Sequence, residues 1–181
     1  MKLMFASDIH GSLYYARDMK DKYIEEKADK LVLLGDLLYH GPRNDLPKEY
    51  NYRELINLLN GMKEELICVR GNCDSEIDQL VLDFPIMADY LTIFENDRML
   101  FLTHGHLYNK KNMPKLKSGD ILIHGHTHIQ KIEQIGENIC INPGSISMPK
   151  ENNPCTYAIY ENGKFEIKDF EGKVLNEYQM M

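Results

Sequence analysis

Short apolar runs, each followed at once by polar residues, recur along the chain. The runs are Leu3–Ala6, Leu31–Leu34, Leu66–Val69, Met99–Leu102 and Ile121–Ile123. Runs of this length are typical of buried β-strands. The polar segments that follow them are Asp8-Ile9-His10, Gly35-Asp36, Gly71-Asn72, His104-Gly105-His106 and Gly125-His126-Thr127-His128. We therefore expect five strand ends to bring polar side chains to one edge of the fold.

The segments between the first three runs predict helices. Residues 12–28 contain no proline or glycine, and Ser12 is a suitable N-cap. Residues 52–64 carry five apolar side chains at near-helical spacing. Strands and helices that alternate in this order imply parallel strands in the first half of the chain.

The second half favours hairpins. Leu91–Glu95 and Met99–Thr103 flank a Glu-Asn-Asp-Arg turn, and a second pair of apolar segments flanks Asn162-Gly163. An Asn-Gly pair between alternating apolar runs is a strong hairpin signal. The predicted fold class is α/β, with two packed β-sheets flanked by helices. We expect a single domain over residues 1–181.

Composition narrows the classes of protein that the chain represents. Its 181 residues are 43% hydrophobic, enough for a well-buried core. A formal net charge of −7 argues against binding nucleic acid, which requires clustered Lys and Arg. The N-terminus lacks the pattern of a signal peptide, and no run of 18 apolar residues occurs. Four cysteines without CxxC spacing favour reduced thiols, so we expect a cytoplasmic protein that does not enter the membrane.

Taken together and in this order, the five polar segments resemble the motifs of the calcineurin-like metallophosphoesterase superfamily. The resemblance spans nearly the whole chain. The Gly71-Asn72-Cys73-Asp74 form of the third motif and the Asn142-Pro143-Gly144-Ser145 run most resemble its small prokaryotic phosphodiesterase subfamily. Each motif alone has a simpler explanation, since Asp36 would serve as a helix cap and Asn72 as a turn residue.

Metal chemistry explains why these residue types recur. Residues i and i+2 at a strand end point to the same side, so Asp8 and His10 can bind one ion together. A carboxylate can bridge two cations, which makes Asp36 the link in a two-metal centre. The resemblance implies that His128 completes the first site and that Asn72, His104 and His126 join Asp36 around the second. Two such ions acidify a bridging water, and the resulting hydroxide attacks phosphorus in line.

The residues around this set are harder to assign. His106 and His124 have no ligand role in the family pattern, so we expect them to support the ligands or the fold. His40 and Arg43 follow the second strand, and the planar guanidinium of Arg43 suits a phosphate oxygen as well as it suits solvent. We treat both as candidate substrate-binding residues.

Cys73 departs from the family pattern, in which most relatives carry a histidine after the motif asparagine. That imidazole is suited to protonate the leaving oxygen, whereas a thiol with a pKa near 8.5 is a poorer acid. Cys73 and Asp74 remain candidate catalytic residues, with an inert Cys73 as the alternative. Without a general acid, diesters with good leaving groups should be favoured over monoesters of ordinary alcohols.

The sequence thus predicts a metal-dependent phosphodiesterase that acts on small molecules. We expect two divalent ions per chain, with Mn²⁺ first and Zn²⁺, Fe²⁺, Co²⁺ or Ni²⁺ also compatible with oxygen and nitrogen ligands. The alternatives are a phosphomonoesterase or nuclease of the same fold, and a non-catalytic scaffold. The sequence is also compatible with a homo-oligomer.

Overall fold

The computed structural model describes residues 1–95 and 97–180. These residues form three helices and eleven strands, and the helices all lie between strands of the first half of the chain. The helices are α1 (Leu13–Glu26), α2 (Tyr52–Asn60) and α3 (Glu76–Gln79). The strands are β1 (Lys2–Ala6), β2 (Lys30–Leu33), β3 (Leu66–Cys68), β4 (Tyr90–Glu95), β5 (Arg98–Thr103), β6 (Ile121–Ile123), β7 (Lys131–Ile135), β8 (Asn138–Asn142), β9 (Thr156–Glu161), β10 (Lys164–Asp169) and β11 (Val174–Gln179). No described helix is long and apolar enough to cross a membrane.

The first sheet has six strands in the order β11-β10-β9-β1-β2-β3. β1 pairs in parallel with β2, and β2 with β3, as the alternation of strands and helices predicted. α1 begins after Ser12, whose side chain accepts a hydrogen bond from the N–H of Tyr15. α2 ends at Asn60, earlier than the apolar spacing suggested, because Gly61 caps it and the chain turns before β3. Strands β9 to β11 add an antiparallel extension on the other side of β1.

The second sheet has five strands in the order β4-β5-β6-β8-β7. Its central strands β5, β6 and β8 run parallel, although no helix among the described residues connects them. The hairpin pattern in the sequence did not reveal this parallel core, because parallel strands usually come with crossover helices. As a result β5 and β6 both end at the same edge of the sheet.

Two hairpins were predicted in the second half. The turn between β9 and β10 has Asn162 and Gly163 at φ of 50° and 80°, as a two-residue type I′ turn requires, so this prediction is confirmed. β4 and β5 also pair antiparallel. Their predicted turn includes Asn96, which lies outside the described residues.

The core lies in layers on both faces of the six-stranded sheet. Leu3, Phe5 and Val32 face the second sheet, where they pack with residues such as Leu102 and Ile123. The opposite face packs against α1 and α2, and the outer face of the five-stranded sheet packs with side chains of the loop after β5. The predicted fold of two packed sheets is confirmed, with the two long helices on one side only.

Candidate metal centre

The candidate metal ligands meet where the two sheets face each other. Five loops carry them: three follow β1, β2 and β3 of the six-stranded sheet, and two follow β5 and β6 of the five-stranded sheet. Asp8, His10, Asp36, His104 and His128 are all at most 4% exposed. His126 is half-buried and Asn72 is exposed at the rim. The structure therefore brings together all seven residues that the sequence singled out as ligands.

Backbone carbonyls fix the orientation of three histidine rings. The Nδ1 atoms of His10, His104 and His128 lie 2.8, 2.7 and 2.7 Å from the carbonyl oxygens of Tyr39, Leu34 and Met148. A carbonyl oxygen accepts a hydrogen bond, so each Nδ1 carries a proton and each ring, in its neutral form, has its lone pair on Nε2. Those three Nε2 atoms point into the centre.

Within the described part of the chain, the carboxylates of Asp8 and Asp36 are each held by hydrogen bonds to only one of their two oxygens. Oδ2 of Asp8 accepts hydrogen bonds from the Ser7 hydroxyl (2.7 Å) and from the N–H of His126 (3.0 Å). Oδ1 of Asp36 accepts one from the N–H of Cys73 at 2.8 Å. Each aspartate therefore has one oxygen fixed by the protein and one directed at the histidines.

The free atoms form two overlapping groups. Oδ1 of Asp8 lies 3.7 Å from Nε2 of His10 and 3.3 Å from Nε2 of His128. Oδ2 of Asp36 lies 3.6 Å from Nε2 of His10 and 3.4 Å from Nε2 of His104. Asp36 thus stands between a histidine of the first group and a histidine of the second.

Asn72 and His126 complete the second group. Nε2 of His104 is 3.1 Å from Oδ1 of Asn72 and 3.2 Å from Nδ1 of His126. His126 differs from His10, His104 and His128, because it directs Nδ1 rather than Nε2 at the other ligand atoms. A carboxylate, an amide oxygen and two imidazoles make a ligand set suited to a divalent transition metal.

Two observations test whether the residues fit cations. Nε2 of His10 and Nε2 of His128 face each other at 3.3 Å, although the carbonyl contacts leave a lone pair on both. Oδ1 of Asp8 is buried and has no hydrogen-bond partner among the described residues. Converging acceptors without donors are costly in a buried site, and a cation between them removes that cost. The arrangement fits metal ions.

The electrostatics of the centre agree with this fit. Burial opposes ionisation of Asp8, but the close approach of His128 and the charges of the neighbouring histidines outweigh it and hold the pKa of Asp8 below its usual range. Burial also disfavours a charged His104, yet Asp36 and Asp8 outweigh it and raise the pKa of His104 to about 9. Burial, together with the charge of His104, lowers the pKa of His126 to about 4. The carboxylates therefore create a field that favours a positive charge among the rings.

Five of the seven candidate ligands have a left-handed backbone. They are Asp8 (φ 58°), His10 (φ 50°), Asp36 (φ 56°), His126 (φ 68°) and His128 (φ 61°). This conformation costs a non-glycine residue on the order of 1 kcal/mol or more, and it collects at functional sites. Backbone bonds between loops maintain it, such as His10 N–H to Asp36 O at 2.9 Å.

Asp74 holds the ligand loops rather than facing the ligands. Its carboxylate accepts hydrogen bonds from the backbone N–H groups of Asp36 (2.9 Å), Leu37 (2.8 Å) and Gly71 (2.7 Å). The side chain is 6% exposed. One carboxylate therefore ties the loop after β2 to the loop after β3.

Cys73 lies beside the centre with its thiol half-buried. Its Sγ accepts a hydrogen bond from the Asn72 amide at 3.3 Å and lies within 4.8 Å of ligand atoms of His10 and Asp36. Burial, reinforced by the charge of Asp36, raises the pKa of Cys73 to about 12. The thiol thus lies beside the candidate ligands, and it holds its own proton tightly.

His40 and Arg43 lie on the loop after β2. Arg43 is exposed, and the ring of His40 packs edge-on against Tyr39 and Tyr50. Nδ1 of His40 is buried with no partner among the described residues. Of the two remaining histidines, His124 is buried with Nδ1 2.9 Å from the Gly125 carbonyl, and His106 lies with its ring 5.4 Å from that of His104.

Several supporting residues were not predicted from the sequence. The hydroxyls of Ser145 and Ser147 donate to the backbone carbonyl of Asp8 at 2.8 and 2.9 Å. Gly125 packs so closely against Ser7 that a Cβ at this position would collide with its hydroxyl. The Asn-Pro-Gly-Ser run indicated a turn near the site, but no pattern in the sequence indicated which backbone groups the serines bind.

Comparisons with known proteins agree with this geometry. Residues 1–164 match the family model described as the calcineurin-like phosphoesterase superfamily domain. The chain is 48% identical over 167 residues to the phosphodiesterase YfcE of Escherichia coli K12, covering 92% of this chain and 91% of YfcE. A solved structure of YfcE, described as a phosphoesterase, matches with a TM-score of 0.97 at 43% identity over the full length of both chains.

Two more distant structures share the fold alone. An archaeal phosphodiesterase matches with a TM-score of 0.64 at 21% identity, over 99% of each chain. Vps29 of Entamoeba histolytica, solved with Zn²⁺, matches with a TM-score of 0.65 at 17% identity over the full length of both chains. The family match, together with the histidines and carboxylates that converge between the two sheets, identifies the chain as a metallophosphoesterase. The chain belongs to the calcineurin-like phosphoesterase superfamily.

The contacts of Asp74 generate a prediction about metal binding. Asp74→Asn replaces an acceptor of three N–H bonds by a group that presents its own N–H to them, which should displace the loops carrying Asp36 and Asn72. Loss of such an outer partner typically weakens metal affinity by about 10- to 100-fold. Calorimetric titration with Mn²⁺ measures this, with the exposed Asp83→Asn as the matched control. Wild-type affinity in the Asp74 variant would contradict the positioning role.

Proposed function

We propose that the chain is a metal-dependent phosphodiesterase that hydrolyses small-molecule phosphodiesters and works with two divalent ions, Mn²⁺ first among them. The main support for this proposal is the convergence of acceptor atoms without donors at the candidate metal centre. The similarity to YfcE, a phosphodiesterase, supports the choice of diesters. A cytoplasmic location is proposed as well, on the basis of four cysteines that are all free.

The ligands divide between two ions that share one carboxylate. We assign Asp8, His10 and His128 to the first ion, Asn72, His104 and His126 to the second, and Asp36 to both. When bound, such ions neutralise the phosphate and acidify a water for attack on phosphorus. The chain's own contribution is to hold each ligand atom in place, through the carbonyls behind Nδ1 and the donors behind each carboxylate.

Residues at the rim then act on the ester. The Asn72 amide N–H lies beside the Cys73 thiol at the open side of the centre. Arg43, exposed on the loop after β2, is assigned to a phosphate oxygen, and His40 to the walls around it. Cys73 stands where the leaving oxygen departs, and its high pKa makes it a poor proton donor. Diesters whose leaving group departs without a proton fit such a site.

The first prediction of this proposal concerns metal content. Two divalent ions should bind per chain, and chelation should abolish hydrolysis. Asp36→Asn should reduce the content most, because it weakens both ions at once, whereas His128→Ala should weaken mainly the first. Elemental analysis of the dialysed proteins measures the ion count. One ion or none in an active wild-type chain would rule out the binuclear centre.

A second prediction concerns substrate class. The metal-stripped protein, reloaded with each divalent ion in turn, should hydrolyse an activated aryl diester at least tenfold better than the matching monoester, by kcat/KM. Tenfold corresponds to about 1.4 kcal/mol in activation free energy. The reasons are that Cys73 supplies no proton donor and that the dianionic monoester makes a greater demand on the metal ions than the monoanionic diester. Equal or reversed rates with every metal would instead indicate a monoesterase.

The third prediction tests Cys73 directly. Cys73→His should raise hydrolysis of a monoester of an ordinary alcohol relative to hydrolysis of the aryl diester, since the poorer leaving group benefits from protonation. General acid catalysis is typically worth about 10² to 10⁴, and the gain should lie at or below the lower end because Asp74 is already engaged by backbone N–H groups. Cys73→Ser is the control and should change the ratio little. Both ratios are measured at equal metal loading. An unaltered ratio in the histidine variant would show that Cys73 lies outside the reaction path.

A further inference from the structure

A cavity of about 800 Å³ opens beside the metal centre, on the outer side of the five-stranded sheet. His126 borders both the cavity and the centre, because its Nδ1 lies 3.2 Å from Nε2 of His104 while the residue also lines the cavity wall. Gly105 and Thr127 line the cavity next to it. A cavity of this size accommodates a small organic group. Anything bound in it lies against a ligand of the metal centre.

The lining carries an excess of positive charge. Three lysines and two glutamates contribute to it, an excess of one positive charge in a chain of formal net charge −7. Glu133 is shared by two of the lysines, with Oε1 3.4 Å from Nζ of Lys110 and Oε2 2.8 Å from Nζ of Lys131. Among the described residues, no carboxylate lies within ion-pair distance of Lys111. The ammonium of Lys111 is thus available to an anion.

The loop that carries Lys110 and Lys111 is fixed to the metal centre. Oδ1 of Asn109 accepts hydrogen bonds from the N–H groups of Lys111 (2.9 Å) and Asn112 (3.2 Å). Its Nδ2 donates to the carbonyl of Gly105 at 2.9 Å. Gly105 directly follows the ligand His104, so the backbone of the two lysines is held at a set position relative to that ligand.

The interior of the cavity is suited to an organic chain with a polar end. Ile129 and Cys140 supply apolar surface, and the amide of Asn142 is already occupied by the Gly125 carbonyl and the Thr127 hydroxyl. Oε1 of Gln130 is buried and has no partner among the described residues. A bound group therefore meets an apolar wall, one free acceptor and, at the rim, an unpaired cation.

We propose that this cavity binds the second ester substituent of the substrate, and that this substituent carries a negatively charged group. The inference rests on the proposed phosphodiesterase function and narrows it to diesters with an anionic arm. The two ions would engage the central phosphate, and Lys111, with Lys110 beside it, would engage the distal anion.

The experiment compares two nitrophenyl phosphodiesters with the same leaving group. In one, the second substituent is a four-carbon chain ending in a carboxylate; in the other, the same chain ends in an isopropyl group of matching shape. The ratio of their kcat/KM values is measured for the wild type and for Lys111→Ala, Lys111→Arg and Lys115→Ala. Lys115 lies on the same loop, is exposed and does not line the cavity, so its variant is a matched control for the change in net charge.

The carboxylate ester should lose its advantage in Lys111→Ala on the order of threefold to fivefold relative to the wild type, the size expected for one exposed ion pair. The loss should come mainly from a higher KM for this ester and should shrink at high salt. Lys111→Arg should retain the ratio, and so should Lys115→Ala. A ratio unaffected by Lys111→Ala, or lowered equally by Lys115→Ala, would overturn the proposal while the phosphodiesterase function stands. Failure to hydrolyse either ester in any metal form would overturn both.

Discussion

The structure depends on holding several hydrogen-bond acceptors close together in the buried metal centre. Acceptors repel one another, and nothing among the described residues donates to Oδ1 of Asp8. The protein counters this repulsion by fixing five of these side chains through their other polar atom, namely those of Asp8, His10, Asp36, His104 and His128. The carbonyls of Leu34, Tyr39 and Met148 accept hydrogen bonds from the Nδ1 atoms of the three histidines in this set. The loops, their left-handed residues and the serines around Asp8 are arranged to provide these contacts.

Much of this arrangement could be predicted from the sequence, because its signal is local. An apolar run followed by a polar pair indicates a strand end, and the order of five such ends carried the family resemblance. Ser12 as a cap and Asn162-Gly163 as a turn were equally local signals. The parallel core of the five-stranded sheet was not predicted, since β5, β6 and β8 lack the helices that usually indicate parallel strands. The cavity near Lys111 was missed as well, because its walls come from segments far apart in the chain.

Cys73 and Asp74 illustrate a limit of arguing from neighbours in the sequence. They are adjacent, and the sequence made both of them candidate catalytic residues. In the structure the Cys73 thiol turns toward the Asn72 amide, while the Asp74 carboxylate turns back to three backbone N–H groups. Successive residues of a loop point in different directions, so adjacency does not imply a shared role. Asp74 instead supports Asp36, which lies far from it in the sequence.

The ligands come from both sheets, which has a mechanical consequence. Asp8, His10 and Asp36 extend from the six-stranded sheet, whereas His104, His126 and His128 extend from the five-stranded sheet. Ions held between them would act as a cross-link between the two layers, in addition to the apolar contacts of Phe5 and Leu102 in the interior. The free energy of ion binding would then also stabilise the contact between the two sheets. Opening of the sandwich at this edge and release of the ions would then be one event, so the bonds that hold the ions would also keep the two layers together.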